Sequence, residues 1–219
     1  MKAFHNDPLL KEKYLTRVQA HYDADQIIKG EYWQNGKGCA VGCTIHSNYH
    51  AKYESELGIP EDIAHLQDTI FEGLPNKLAK EFPLQFLSAI SVGADLKNVS
   101  NLFTIWVLTD SKYGVLQYAE DKKIVQDIAD AIAKDMVTPV SAEKWEKLRK
   151  NATNELYSSS YYAAASYTAY TAAADATYYS YAYSAAHATY SASSSSSSSK
   201  SEYYIAALKK LIELLKNSN

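Results

Sequence analysis

Two cysteines and two histidines lie within twelve residues of one another near the start of the chain. Cys39, Cys43, His46 and His50 follow a Cys-x3-Cys-x2-His-x3-His spacing. Thiolate sulfur and imidazole nitrogen are ligands that zinc and other transition metals accept. The four residues are therefore candidate metal ligands, with zinc or another transition metal as the ion that they would hold.

The spacing limits how many of these four side chains can bind one ion. On a helix they would share one face, but Cys39 and His50 would lie about 16 Å apart. One ion can then take only an adjacent pair, Cys39 with Cys43 or His46 with His50. Further candidate ligands for such a pair are His5, His21 and His65. A site with all four requires the glycine before each cysteine to bend the chain out of a helix.

Cys39 is also a candidate catalytic residue. A thiolate nucleophile needs a helix N-terminus or a nearby cation to lower its pKa, and Cys39 follows a Gly-rich loop that contains Lys37. A third interpretation is structural, because small cysteines beside glycines are common where two helices pack closely. These residues alone do not decide whether the protein is an enzyme.

The rest of residues 1–150 predicts the helices that would position these side chains. Asp7-Pro8, Gly58-Ile-Pro60 and Gly73-Leu-Pro75 carry the residue types that start and stop helices. Between them, apolar residues recur every three or four positions, and strand signals are scarce. The fold class that we predict is all-α: a compact multi-helix body, then a long Ala/Ser/Tyr-rich helix and a short C-terminal amphipathic helix.

The composition changes sharply after residue 150. Residues 151–199 hold ten of the nineteen tyrosines, with fourteen alanines, fourteen serines and no Lys, Arg, Gly or Pro. Alanine favours a helix, and nothing in the tract breaks one. Small residues recur at every fourth position from Ser160 to Ala192, and such a ridge lets another helix approach closely. We divide the chain into a helical body at 1–150, this helical low-complexity tract at 151–199 and an amphipathic helix at 200–219.

Charge and hydropathy exclude several partners. A formal net charge of −3 and an isoelectric point near 6.1 offer no basic surface for nucleic acid. No apolar run approaches the roughly 18 residues of a membrane span, and the N-terminus lacks the apolar stretch of a signal peptide. We therefore predict a cytoplasmic protein that binds neither nucleic acid nor membrane.

Two functional hypotheses follow from these features. The first is a non-enzymatic binding or assembly protein, in which the Tyr/Ala/Ser-rich tract contacts a protein partner or a second copy of the chain. Tyrosine supports this hypothesis because it offers a large contact area at low entropic cost. The alternative is a metal-binding or thiol-dependent enzyme centred on Cys39–His50.

One block of the chain resembles a group of uncharacterised bacterial and phage proteins. It runs from Gly38-Cys-Ala-Val-Gly-Cys43 through Gly58-Ile-Pro60 to Ile70-Phe-Glu-Gly-Leu-Pro-Asn76, then Val92-Gly-Ala-Asp-Leu96. Those proteins also end in an Ala/Ser-rich helical segment with interspersed aromatic residues. The resemblance implies a small intracellular helical protein and carries no catalytic residue to transfer.

Overall fold

The computed structural model describes residues 1–117, 119, 121–156 and 197–218. Within them the protein is mostly helical, which confirms the predicted all-α class. The helices are α1 (Pro8–Asp23), α2 (Ala40–Ile45), α3 (Glu61–Gly73), α4 (Asn76–Ala89), α5 (Val99–Thr109), α6 (Lys122–Asp135), α7 (Ala142–Leu156) and α8 (Ser197–Lys216). None of these described helices is long and apolar enough to cross a bilayer. The long helix predicted over the tyrosine-rich tract falls, from residue 157 to 196, outside the described residues.

The helix boundaries coincide with capping, proline and glycine residues in the sequence. The Asp7 side chain accepts a hydrogen bond from the backbone N–H of Leu9 at 2.9 Å, and Pro8 is the first residue of α1. This is the N-cap arrangement that the Asp-Pro pair predicts. α3 begins after Pro60 and ends at Gly73, also as predicted.

A small hairpin departs from the purely helical prediction. Strands β1 (Trp33–Gln34) and β2 (Lys37–Gly38) pair antiparallel. The two residues between them, Asn35 and Gly36, have φ values of 51° and 79°. Asn-Gly is the preferred sequence for a tight hairpin turn, because both positions need positive φ. Strand periodicity did not predict the hairpin, since two residues per strand are too few to show alternation.

The chain divides into two compact units, and the first contains the candidate residues. It comprises residues 1–99 and 204–219. Within it α2 contacts α1, α3 and α4, and all six α2 residues are buried. A six-residue helix is too short to be stable alone. Packing on three neighbouring helices therefore stabilises α2 and fixes the residues on either side of it.

The C-terminal helix packs on the end of α3. A Cβ atom added to Gly73 would lie 2.2 Å from the ring of Tyr204, so the ring rests directly on the glycine. Leu208, Leu211 and Leu215 of α8 are buried on the same amphipathic helix. The helix begins at Ser197, slightly before the predicted boundary at residue 200.

The second unit, residues 100–203, holds α6, α7 and most of α5. Asp121 accepts a hydrogen bond from the N–H of Lys123 at 2.8 Å and so caps α6. Ser141 accepts one from the N–H of Lys144 at 3.3 Å, ahead of α7. Ser141 therefore acts as the N-cap of α7. α6 and α7 pack against each other.

Candidate functional site

The two glycines of the Gly-Cys-Ala-Val-Gly-Cys motif allow the segment before β1 to pack closely against the start of α2. A Cβ atom added to Gly38 or Gly42 would lie 2.1 Å or 1.5 Å from the carbonyl oxygen of Tyr32. The backbone N–H of Cys39 donates to the carbonyl oxygens of Glu31 (2.7 Å) and Tyr32 (3.2 Å). Any side chain at the glycine positions would displace this segment.

Both cysteines are buried free thiols that make local hydrogen bonds. The Cys39 sulfur accepts from the N–H of Gly42 at 3.5 Å, and the Cys43 thiol donates to the carbonyl oxygen of Gly38 at 3.3 Å. Burial raises the pKa of the Cys39 thiol, and the negative charge of Asp68 raises it further. Burial also raises the pKa of Cys43 to about 12. Both side chains are therefore neutral thiols at physiological pH, which is the opposite of an activated nucleophile.

His46 ends α2 and meets a second histidine at the surface. It has a φ of 52° and is the C-cap residue of the helix. Its Nε2 lies 2.7 Å from Nε2 of His21, and its ring stacks on Trp33 with centroids 4.3 Å apart. Partial burial lowers the pKa of His46, and the positive charge of Arg17 lowers it further. His46 is thus a neutral imidazole at neutral pH.

His50 belongs to a different pair. Its side chain is only 7% exposed, and its Nε2 lies 3.6 Å from Oδ2 of Asp68. The ring stacks on His65 with centroids 4.0 Å apart and lies edge-on to Tyr32 at 5.5 Å. At 3.6 Å the Asp68 contact is an electrostatic one and too long for a hydrogen bond.

Some buried polar atoms of the described residues have no hydrogen-bond partner, and two of them belong to this pair. In the described part of the first unit, they are Nε2 of His50, Oδ1 of Asp68 and Nε2 of Gln67. The Gln67 side-chain oxygen is occupied, since it accepts a hydrogen bond from the buried Tyr53 hydroxyl at 2.8 Å. Most buried polar groups in proteins are hydrogen-bonded, so the unsatisfied atoms of the neighbouring His50 and Asp68 side chains require an explanation.

One face of α3 supplies the acidic side of the site. Glu61, His65, Asp68 and Glu72 are spaced at i, i+4, i+7 and i+11, which places them in one row along a helix. His65 Nε2 lies 3.6 Å from Oε1 of Glu61. Burial lowers the pKa of His65, whereas burial raises the pKa of Glu72 and the charge of Asp68 adds to that rise. The spacing of these four residues was visible in the sequence and is the signal by which the site could have been found.

The four predicted metal ligands make different contacts. Cys39 and Cys43 hydrogen-bond to the backbone, and His46 pairs with His21. His50 lies against Asp68, the carboxylate that adds to the effect of burial in raising the pKa of Cys39. Over the described ranges, no group of three or more His, Cys, Asp or Glu side chains is arranged to hold a metal ion. Zinc at these four residues stays a prediction.

The other predicted ligands lie apart from one another. His5 contacts the carbonyl oxygen of Ser55 at 3.2 Å, whereas His21 and His65 each join one of the histidine pairs. The structure thus brings together His21 with His46 and His50 with His65. Comparison of the chain with known protein families, curated proteins and solved structures found no match.

Proposed function

We propose that the protein binds a small amine-bearing ligand at the His50–Asp68 pair. The observation that carries this proposal is that His50 Nε2 and Asp68 Oδ1 are both shielded from solvent and have no partner in hydrogen-bond geometry, with the Cys39 thiol as a close neighbour of the carboxylate. An unsatisfied buried polar group costs about 1–3 kcal/mol. A ligand that donates hydrogen bonds to both atoms would recover that free energy on binding.

The charges around the pair favour a cationic ligand. Asp68 shares its face of α3 with Glu72, whose pKa is raised by burial and by the charge of Asp68, so a second carboxylate lies near the pair. The lowered pKa of His65 keeps the stacked neighbour of His50 uncharged at neutral pH. An ammonium group carries three N–H donors, so it has enough donors to reach both Asp68 Oδ1 and Nε2 of His50.

The position of Tyr32 suggests where such a ligand enters. Its side chain is 49% exposed and lies edge-on to the His50 ring. The pair itself is covered, with Asp68 only 14% exposed. Movement of the exposed Tyr32 side chain would uncover the His50 ring that it contacts.

The alternative of a thiol-dependent enzyme receives less support from the same geometry. The Cys39 side chain is 1% exposed, and both burial and the Asp68 carboxylate raise its pKa. A catalytic thiol needs the reverse, a nearby positive charge and access for substrate. We therefore assign the two cysteines to packing around α2.

A direct test compares amines with neutral molecules of the same size. The full-length protein is titrated with ethanolamine and, separately, with ethylene glycol, while the imidazole C–H resonances of His50 and His65 are followed by NMR. Ethanolamine is expected to shift both sets of resonances in a saturable way, because its ammonium group reaches the pair. Ethylene glycol is expected to leave them unchanged.

Asp68→Asn tests the role of the carboxylate. It preserves the size of the side chain but removes its charge, so the affinity for ethanolamine should fall about tenfold or more, as for loss of a charged hydrogen bond. Asp130→Asn is the matched control, because Asp130 lies on the exposed face of α6 and accepts a hydrogen bond from Gln126 of the same helix. Putrescine, a diamine, is tested in the same titration. If neither ethanolamine nor putrescine shifts the His50 and His65 resonances, the pair holds only water and the proposal is wrong.

A further inference from the structure

A second pair of histidines, distinct from the proposed amine site, lies at the surface of the first unit. Nε2 of His21 and Nε2 of His46 are 2.7 Å apart, with ring centroids separated by 5.0 Å and planes at 79°. Two imidazole nitrogens that face each other this closely share one proton in a hydrogen bond. The same two nitrogens can instead share a metal ion, since imidazole is a good ligand for copper, nickel and zinc.

The partner of His21 leaves its facing nitrogen free to act as a ligand. Nδ1 of His21 lies 2.6 Å from Oε1 of Gln26. An amide oxygen only accepts, so Nδ1 carries the hydrogen and a neutral His21 keeps the lone pair on Nε2. Histidines that bind metals typically donate their other ring N–H to a carbonyl or carboxylate in this way.

His46 is held in place by an aromatic stack. Trp33 lies parallel to the ring, at an interplanar angle of 11°. Because Nε2 of His21 carries the lone pair, Nε2 of His46 donates the hydrogen that joins the two rings in the free protein. Metal binding requires that hydrogen to move to Nδ1 of the same ring, and the exposed position of His46 lets water carry it. His46 stays neutral, so no net proton is released.

The separation of the two nitrogens is close to what a chelated ion needs. Two nitrogens at right angles around a metal with bonds of about 2.0–2.1 Å lie about 3 Å apart. The pair must therefore open by a few tenths of an ångström, and both rings must tilt toward the ion. His46 is exposed and His21 is half-buried, so neither ring is locked in a core.

We propose that His21 and His46 form a two-histidine site for a divalent first-row transition-metal ion. No third His, Cys, Asp or Glu side chain joins them in the described part of the chain. Water or an external ligand would fill the remaining positions of the ion. By the Irving–Williams order, Cu(II) is the ion that the site binds most tightly, ahead of Ni(II) and Zn(II).

The stacked tryptophan provides a local readout of binding. The full-length untagged protein is titrated with copper(II) sulfate, and affinity is measured by calorimetry while tryptophan fluorescence is recorded. Cu(II) at His46 should quench Trp33 saturably at one ion per chain. Trp33→Phe keeps the aromatic stack, so the Cu(II) affinity measured by calorimetry should remain. The quenching that comes from Trp33 fluorescence should disappear in this variant.

Substitution of the two ligands tests the site itself. His21→Phe keeps an aromatic ring, and His46→Asn suits the positive φ of that residue. Each should weaken Cu(II) binding about tenfold or more. Gln26→Leu removes the hydrogen-bond partner of His21 Nδ1 and should weaken Cu(II) binding by about 10–100-fold. His5→Asn is the matched control, because His5 has a φ of 50° and lies outside the pair, so Cu(II) binding should not change.

Three outcomes would overturn the metal site. The first is that the wild-type protein does not bind Cu(II). The second is that His21→Phe and His46→Asn both keep the wild-type affinity for Cu(II). The third is that His5→Asn loses as much Cu(II) affinity as the ligand variants, which would mean dispersed binding to surface histidines. Circular dichroism of each variant establishes that it is folded. Electron paramagnetic resonance of the Cu(II) complex should show two coordinated imidazole nitrogens in the wild type and one in either ligand variant.

Discussion

The carbonyl oxygen of Tyr32 occupies the space in which a side chain at Gly42 would begin. A Cβ atom on Gly42 would lie 1.5 Å from that oxygen. The contact brings the segment before β1 directly onto α2, where Cys39 and Cys43 fill the buried space on either side of the glycine. Glycine at position 42 is therefore a steric requirement of this packing.

Gly42→Ala is expected to destabilise the protein by about 2–3 kcal/mol, because the new methyl group must displace the Tyr32 backbone. Urea denaturation monitored by circular dichroism measures this loss. Gly36→Ala is the control: nothing lies within 4 Å of its added Cβ, and only its φ of 79° is unfavourable. That variant should lose about 1 kcal/mol. Equal losses in the two variants would argue against the close contact.

The two thiols should be protected in the folded protein. Cys39 and Cys43 are 1% and 0% exposed, and their raised pKa values suppress the reactive thiolate. Iodoacetamide at about pH 8 should alkylate them slowly in buffer and rapidly in urea. Mass spectrometry measures both rates. Rapid alkylation of Cys39 alone in the native protein would revive the catalytic-thiol hypothesis.

Alkaline pH should destabilise the fold. The pKa of Cys43 is about 12 in the folded protein and about 8.5 in an unfolded chain. The neutral thiol is favoured by folding, so its stabilisation is complete below the unfolded pKa and is lost as the pH rises toward the folded value. Between about pH 9 and 12 the free energy of unfolding should fall, by up to about 1.4 kcal/mol per pH unit for this group.

Cys43→Ala isolates the contribution of this thiol to the alkaline loss. Its stability should decline less steeply than that of the wild type over the same pH range, as measured by urea denaturation at several pH values. Some decline should remain, because burial also raises the pKa of Tyr53. Identical slopes in the two proteins would exclude the Cys43 thiol as the source.

The contact between Gly73 and Tyr204 should anchor the C-terminal helix. Tyr204→Ala removes a ring that is 6% exposed and should destabilise the first unit by about 3 kcal/mol, as for other buried aromatic truncations. Lys209→Ala, on the exposed side of the same helix, should change stability by less than about 0.5 kcal/mol. Hydrogen exchange of α3 and α8 measures both effects. A Tyr204→Ala protein as stable as the wild type would contradict the docking.

Self-association through residues 151–199 stays a prediction, and it can be tested without shortening the chain. Replacement of the ten tyrosines between positions 157 and 190 by serine removes the aromatic contact area and keeps the length. If the tract mediates assembly, the wild-type mass measured by light scattering should rise with concentration and that of the variant should not. A wild-type monomer at every concentration would count against assembly of the chain with itself.

Much of the fold could be read from local residue patterns. Asp7-Pro8 and Gly58-Ile-Pro60 predicted helix starts because caps and proline act through the adjacent backbone. The apolar repeat predicted helices for the same local reason. The Asn35-Gly36 pair is an equally local signal of a turn, but strands of two residues are too short for periodicity to predict them.

The candidate sites were only partly readable. The sequence by itself determined that two cysteines and two histidines lie close together along the chain, and that Glu61, His65, Asp68 and Glu72 share one face of a helix. Only the tertiary structure decided the pairs, because α2 ends at His46 and brings it to His21 of α1, while His50 meets Asp68 of α3. Spacing along the chain constrains neighbours within one element. Which side chains meet across elements depends on how those elements pack, and here that depends on the small volume of Gly38 and Gly42.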